Sequence, residues 1–162
     1  MDRATVATLT APGSYFEAFE VGAVMKHARG KTVEPLENVL ITNLVMNTAA
    51  GHFDEHMMKT APFGRRVVFG GVTTALVIGM ASQDTAENAL AEIGMTGLRL
   101  KSPVFHGDTL YAYTEVVAKE EAEREDAGIV TFRHFGVNQD DVVVCECVRR
   151  VLVKRASHWR PA

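Results

Sequence analysis

The chain is predicted to fold as an α+β domain in which a curved antiparallel sheet wraps around one central buried helix. Three observations carry that prediction. First, Val67–Ala81 is almost wholly apolar, with the pair Gly70-Gly71 near its start and two threonines as its polar members. It is shorter than the roughly 18–20 residues of a membrane span, and it lacks a polar stripe at helical spacing, so it reads as a helix buried on most sides. Second, from Met95 onward the pattern changes to period two, in long segments joined by short turns, the signature of antiparallel strands. Third, one strand and one amphipathic helix precede the buried helix, so the order is strand, helix, loop, buried helix, four strands.

The totals are compatible with one soluble domain. A chain of 162 residues buries a sizeable core. A formal charge of -3 without a basic cluster argues against nucleic acid as the main partner. Nothing indicates a membrane segment. The N-terminus, MDRATVATLT, has no basic region followed by an apolar stretch; without a signal peptide the expected location is cytoplasmic. Cys145 and Cys147 flank Glu146 on one face of a strand, too close in register for ordinary disulfide geometry, and read as reduced, buried thiols.

Residues 1–14 form a polar leader ending in Pro12-Gly13, residues 15–156 the domain, and residues 157–162 a C-terminal tail. Tyr15–Phe19 brings aromatics within reach of the core, and Val21–Lys31 reads as a strand. Thr32–Thr48 reads as a helix, with Pro35 in the first turn and Thr32 or Glu34 near the cap. The three-and-four rule puts Leu36, Leu40, Asn43, Leu44 and Asn47 on one inward-looking face. Asn47, at the end of that stripe, is then a buried amide in need of partners. Ala49-Ala50-Gly51 forms a turn, and Asp54 caps a short helix through Lys59 that Pro62 ends. The buried helix runs to about Ser82. Gln83–Gly94 is a polar connector with a helical stretch possible over 86–93. Leu98–Lys101 alternates until Pro103, Phe105–Asp108 turns, and Thr109–Lys119 alternates Leu110, Ala112 and Val116 against Tyr111, Tyr113 and Glu115. Glu120–Asp126 is charged and solvated; Gly128–Val137 and Val142–Lys154 pair across a turn at 138–141. This order is the hot-dog arrangement. A sheet covering one side of the helix leaves a flank to bury, which points to pairing of two chains.

The start of the buried helix is the first candidate site. Its leading N–H groups lack intrahelical partners and lie at the positive end of the dipole. Gly70 and Gly71 carry no Cβ, so a carbonyl oxygen or an anion can come close; the alternative is a core helix whose glycines serve tight packing. His52 is the one side chain of the preceding loop suited to acid/base work near neutral pH. His52, Asp54 and His56 have the types of a metal set, but capping engages Asp54 and no further ligand cluster follows, so no metal is expected. His106, in the Phe105–Asp108 turn, reads as structural. Arg65 and Arg66 either meet phosphates or are solvated surface residues.

Three stretches carry a family resemblance: NTAAGHFDEHMMKTAPFG (47–64), FGRRVVFGG (63–71) and SPVFHGDTLYAYTEV (102–116). With them the chain resembles the MaoC-like branch of hot-dog acyl-CoA hydratases and dehydratases, from Phe16 to about Arg155. The family's catalytic loop reads Asp, any residue, Asn, Pro, any residue, His. This chain keeps the histidine as His52 and the following aspartate as Asp54. Asn47 stands in place of the catalytic aspartate, and Ala49-Ala50 replaces Asn-Pro. An asparagine in the context Met46-Asn47-Thr48 is similar to the mesaconyl-CoA hydratase-like branch, which acts on short, branched dicarboxylic enoyl-CoA esters.

The resemblance implies reversible hydration of a 2-enoyl-CoA to a 3-hydroxyacyl-CoA, with (R) stereochemistry, by a homodimer or higher homo-oligomer. His52 is then the acid/base and Asn47 the group that orients water. Gly70 is the oxyanion donor, with Gly71 as alternate, and Arg65 and Arg66 are the candidates to meet the coenzyme A phosphates. Coenzyme A arrives within the substrate, and no other cofactor is needed. Two rival readings remain. Thioester hydrolysis normally uses a carboxylate from the central helix region, and Phe63–Ser82 holds none. A non-catalytic acyl-CoA binder, or a helper subunit of a dehydratase complex, is favoured by the missing aspartate.

Overall fold

The apolar run folds as the helix α3, Gly70–Thr85, one turn longer than its sequence pattern suggested. The computed structural model describes residues 13–160; the leader assigned to residues 1–14 lies outside that range save for its last two residues. Val72, Thr73, Val77 and Ala81 of α3 face the sheet, whereas Gly71, Ala75, Gly79 and Gln83 form an exposed flank. Burial is therefore one-sided, and the uncovered stripe is made of small residues up to Gly79, with Gln83 at its end.

Around α3 curve five strands: β1 (Val24–Thr32), β2 (Ala89–Leu100), β3 (Thr109–Glu121), β4 (Ala127–Val137) and β5 (Val143–Lys154). They form one sheet in the order β1-β3-β4-β5-β2, with every neighbouring pair antiparallel. The alternation in β3 is as its residue pattern predicts: Leu110, Ala112 and Val116 face inward, Tyr111, Tyr113 and Glu115 outward. Cys145 and Cys147 lie side by side on the inner face of β5 as free, buried thiols.

Three expectations from sequence are corrected. Residues 86–93 are not helical: only 86–88 connect α3 to β2, because pairing with β5 from Ala89 onward overrides the helix propensity of alanine and leucine. The helix expected over 32–48 is shorter: α1 is Pro35–Leu44, while Thr32 belongs to β1. Glu34 is its N-cap, and a reciprocal capping box with Glu37 fixes the start. Met46 has a positive φ of 58°, which ends the helix before Asn47. The inward face of α1 is also not the one predicted. Asn38 and Thr42 are buried with Ile41 packed beside the core, whereas Leu36, Leu40 and Leu44 are 73%, 52% and 74% exposed.

The core has two apolar clusters. One gathers Val33, Val72, Val77, Leu110 and Val144 beneath α3. The other gathers Phe16 and Phe19, at the ends of a short 3-10 turn (Phe16–Ala18), with Val116, Val130, Phe132 and Val151. Between them, and contributed by all five strands and α3, runs a polar row: Asp84, His27, Thr114, His134, Arg149 and Glu92. The segment expected to be a tail begins with the one-turn helix α4, Ala156–Trp159, whose indole N–H donates to the Asp126 carbonyl. No helix among the described residues is long and apolar enough to cross a membrane.

Candidate active site

The loop between α1 and α3 is fastened to the segment that enters α3. After a 3-10 turn at Ala50–His52, the short helix α2 (Glu55–Met58) begins with the Asp54 carboxylate accepting the Met57 N–H at 2.8 Å. The Val67 N–H donates to the Gly51 carbonyl at 3.1 Å, and the Val67 carbonyl accepts from His52 Nδ1 at 2.9 Å. A carbonyl oxygen only accepts, so the imidazole proton resides on Nδ1 and Nε2 keeps its lone pair. The Phe69 ring, 5.6 Å from the imidazole between centroids, buttresses it. His52 is thereby set as a base in one tautomer.

His52 opens onto a cavity of about 860 Å³, whose walls include Asn47, Gly70 and Gly71. The backbone carbonyl of Phe69, the N-cap residue of α3, takes the N–H groups of Val72 and Thr73. Those of Gly70 and Gly71 have no acceptor among the described residues, so two donors at the positive end of a 16-residue helix remain free in the cavity wall. A Cβ on Gly70 would meet the Leu100 side chain, and one on Gly71 the Phe69 ring, so these positions leave little room for a side chain. Asn47 shapes its own turn: Oδ1 accepts the Ala49 N–H at 3.0 Å. Its NH₂ has no acceptor among the described residues and is the donor it offers to a bound molecule.

Four of the predicted residues, Asn47, His52, Gly70 and Gly71, thus share one cavity, and Arg65 and Arg66 are not in its wall. Arg66 is held by Glu55 at 2.7 Å. Arg65 has no carboxylate partner among the described residues; its guanidinium stacks 3.8 Å above the Phe105 ring. Phe105 in turn meets Phe63 edge-on at 6.0 Å, and Phe63 lines the cavity. Arg65 therefore stands beside the cavity as a cation ready for an anion. Asp54 is spent on its cap, and among the described residues no three His, Cys, Asp or Glu side chains come together as a metal set. His106 accepts from Asn38 Nδ2 at 3.0 Å. Burial holds its pKa below the usual imidazole range, and Arg66 and Arg65 add to that.

Leu98 and Leu100 of β2 and Thr73 and Thr74 of α3 also line the cavity, and no motif in the sequence marks them. Nor does the sequence mark Asn38, because a polar residue inside an apolar helix pattern looks like a surface position. The sole acid of α3, Asp84, lies at the helix end remote from Gly70 and is bonded to His27 at 2.6 Å.

Comparison with known proteins gives the family and supports the fold. Residues 18–155 match the family model described as mesaconyl-CoA hydratase. The chain is 38% identical over 104 residues to the β-methylmalyl-CoA dehydratase of Chloroflexus aurantiacus, covering 64% of this chain and 29% of that protein. It is 30% identical over 154 residues to the mesaconyl-CoA hydratase of Haloarcula marismortui, covering 88% of this chain and 42% of that protein. The chain thus spans less than half the length of these curated relatives. Among solved structures, a MaoC-like dehydratase from Rhodospirillum rubrum superposes with a TM-score of 0.78 at 25% identity, covering 93% of this chain and 100% of that one. The hot-dog expectation is confirmed.

Proposed function

The chain belongs to the mesaconyl-CoA hydratase family, and from that premise we propose that it reversibly adds water to a 2-enoyl-CoA, giving a 3-hydroxyacyl-CoA. The substrate class is a short, branched, dicarboxylic enoyl thioester of the mesaconyl type, in keeping with the names of its relatives. The carrying observation is that the free Nε2 of His52 and the free N–H groups of Gly70 and Gly71 belong to the same cavity.

The thioester oxygen sits on the Gly70 N–H, with that of Gly71 in support. The Asn47 NH₂ donates to a water molecule and holds it for attack. His52 Nε2 takes a proton from that water as its oxygen bonds to C3 of the substrate. The C2–C3 π electrons move toward the thioester oxygen, where helix α3 stabilises the enolate. The imidazolium then returns the proton to C2, and the histidine is regenerated. A backbone oxyanion donor of this kind is worth roughly 10²–10³ in rate. Arg65, stacked and unpaired, receives a coenzyme A phosphate; Arg66, occupied by Glu55, serves less directly. No metal or redox group is required, since the electrons stay within the substrate.

Assembly as a homodimer belongs to the same reading. Edge strand β2 exposes Ile93, Met95, Leu98 and Leu100, and α3 exposes its small-residue flank beside it. Relatives more than twice as long leave room for a second unit on that face. Sedimentation equilibrium at micromolar concentration is expected to give at least twice the chain mass of 17.7 kDa; a clean monomer would count against the dimer.

A panel of enoyl-CoA esters, mesaconyl-CoA and crotonyl-CoA among them, tests the activity through the product formed. Hydroxyacyl-CoA supports hydration, free thiol indicates hydrolysis, and neither indicates a binding or helper role. His52→Ala is expected to cost roughly 10²–10⁴-fold in kcat. Retention of the wild-type rate would place the base elsewhere.

A further inference from the structure

Phe69 is the last residue before the two free glycine N–H groups, and both of its backbone polar groups are tied. Its carbonyl receives the first turn of α3, and its N–H donates to Asn38 Oδ1 at 2.9 Å. Asn38 lies in the middle of α1 with no solvent exposure. Its amide is oriented from both ends, because Nδ2 donates to His106 Nε2 at 3.0 Å. Thr42, one turn later, donates its hydroxyl to the Asn38 backbone carbonyl. His106 stands in a turn closed by Asp108, whose Oδ2 accepts the Phe105 N–H at 2.8 Å. The same segment bonds to the entry of α3, where the Val68 N–H donates to the Val104 carbonyl at 2.8 Å. A buried amide with its acceptor on a helix N-cap and its donors on a histidine is a clamp, not packing material.

We propose that Asn38, oriented by His106, is a positioning residue of the hydration reaction: it fixes the Val68–Phe69 peptide, the unit immediately before the Phe69–Gly70 peptide, so that the Gly70 N–H meets the thioester oxygen. The inference rests on the hydration reading and names a part that neither the family resemblance nor the cavity wall includes. The clamp has one working arrangement. His106 must offer the lone pair of Nε2, so its proton is on Nδ1. A proton added to Nε2 would face the Asn38 NH₂. Turning the amide over would relieve that conflict only by setting NH₂ against the Phe69 N–H, and either outcome frees the peptide. The charged groups acting on His106 are Arg65 and Arg66 from the segment before α3 and Glu55 from α2, while α1 presents the neutral amide.

Asn38→Leu, of the same branched shape though larger, removes the acceptor; Asn38→Asp keeps one for the Phe69 N–H and takes the Nε2–H tautomer of His106 as its new partner. With the full chain and an enoyl-CoA, Asn38→Leu is expected to lower kcat roughly 10- to 100-fold with KM little changed, the usual effect of a small misplacement away from the chemistry. Asn38→Asp is expected to restore most of that loss. His106→Ala, which leaves the amide free to turn, is expected to fall between and stands in for Asn38→Leu should that variant not fold. A second readout is independent of turnover. In ¹⁵N-labelled protein titrated with butyryl-CoA, the Gly70 amide resonance is expected to shift in the wild type and in Asn38→Asp, and much less in Asn38→Leu or His106→Ala. Wild-type kcat in Asn38→Leu, or no rescue by a folded Asn38→Asp, overturns the clamp and leaves hydration standing. An inactive wild type whose Gly70 amide still responds in this variant-dependent way overturns hydration and leaves the clamp standing. A Gly70 amide that responds alike in all four proteins overturns the clamp.

Discussion

His52 and Asn47 illustrate how little of a side chain's chemistry its identity decides. One carbonyl, that of Val67, selects the His52 tautomer, and one backbone N–H, that of Ala49, occupies the Asn47 oxygen. What Asn47 brings to the cavity is therefore a donor, where the usual aspartate of related loops brings an acceptor. Asn47→Asp keeps the turn with Ala49 but exchanges that donor for a second acceptor. It is expected to lower kcat about tenfold, as Asn47→Ala does, because both lose the contact that holds water in the transition state. A gain in hydration by Asn47→Asp, measured on mesaconyl-CoA, would show instead that base strength limits the natural site. His52 was readable in the sequence because its loop carries a motif. Asn38 was not, since its value lies in contacts to residues 31 and 68 positions away.

The same division holds for elements. α3 was legible because its apolar run is unambiguous, and β3 to β5 because strict alternation specifies which face is buried. α1 was misread for a physical reason: its strongest apolar stripe, Leu36, Leu40 and Leu44, points outward, and its buried face is built on Asn38 and Thr42. Periodicity reports which residues share a face, not which body that face meets. β2 was misread in its first half because both of its faces are largely exposed, which leaves no alternation to detect. At the start of α3, Gly70→Ala tests the close approach directly. The position has no positive φ, so the added methyl group brings no backbone strain; it meets only the Leu100 side chain, which is 55% exposed and can turn aside. Thermal stability is expected to stay within a few degrees of the wild type, consistent with a change of at most about 1 kcal/mol. Hydration is expected to fall about tenfold or more, because the methyl group occupies the approach to the Gly70 N–H. Equal loss of stability and activity would mean that the glycine serves packing alone.

On the scale of the whole molecule, the polar row between the two apolar clusters has a proton assignment fixed from its Arg149 end. Arg149, which cannot accept, donates through Nη1 to His134 Nε2 at 3.4 Å and through Nε to Glu92 Oε1 at 2.9 Å. His134 must then carry its proton on Nδ1 and donate to Thr114 Oγ1 at 2.7 Å. The Thr114 hydroxyl donates to His27 Nε2 at 2.6 Å, and His27 Nδ1–H donates to Asp84 at 2.6 Å. From Arg149 to Asp84 every donor points the same way, through β5, β4, β3 and β1 into α3, while the second Arg149 bond points back to Glu92 of β2; His134 is neutral. A proton added to His134 would have to face Arg149. Burial pushes the His134 pKa down to about 3, with the Arg149 charge and His27 adding to the effect. In the unfolded chain the imidazole titrates near 6.5. Above about pH 6.5 neither state binds this proton, and the group adds no pH dependence. Between about pH 6.5 and pH 3 only the unfolded chain binds it, so stability falls as pH falls, by up to ~1.4 kcal/mol per pH unit. His134→Gln preserves an acceptor for Arg149 and a donor for Thr114 but cannot titrate. Urea unfolding at matched protein concentration is expected to show the variant less stable than the wild type near pH 7.5, because the ring's packing is lost. Its further loss on acidification to about pH 5 should be smaller than the wild type's by about 2 kcal/mol. Parallel losses in the two proteins would mean that His134 takes up its proton without unfolding, and that the row can reverse.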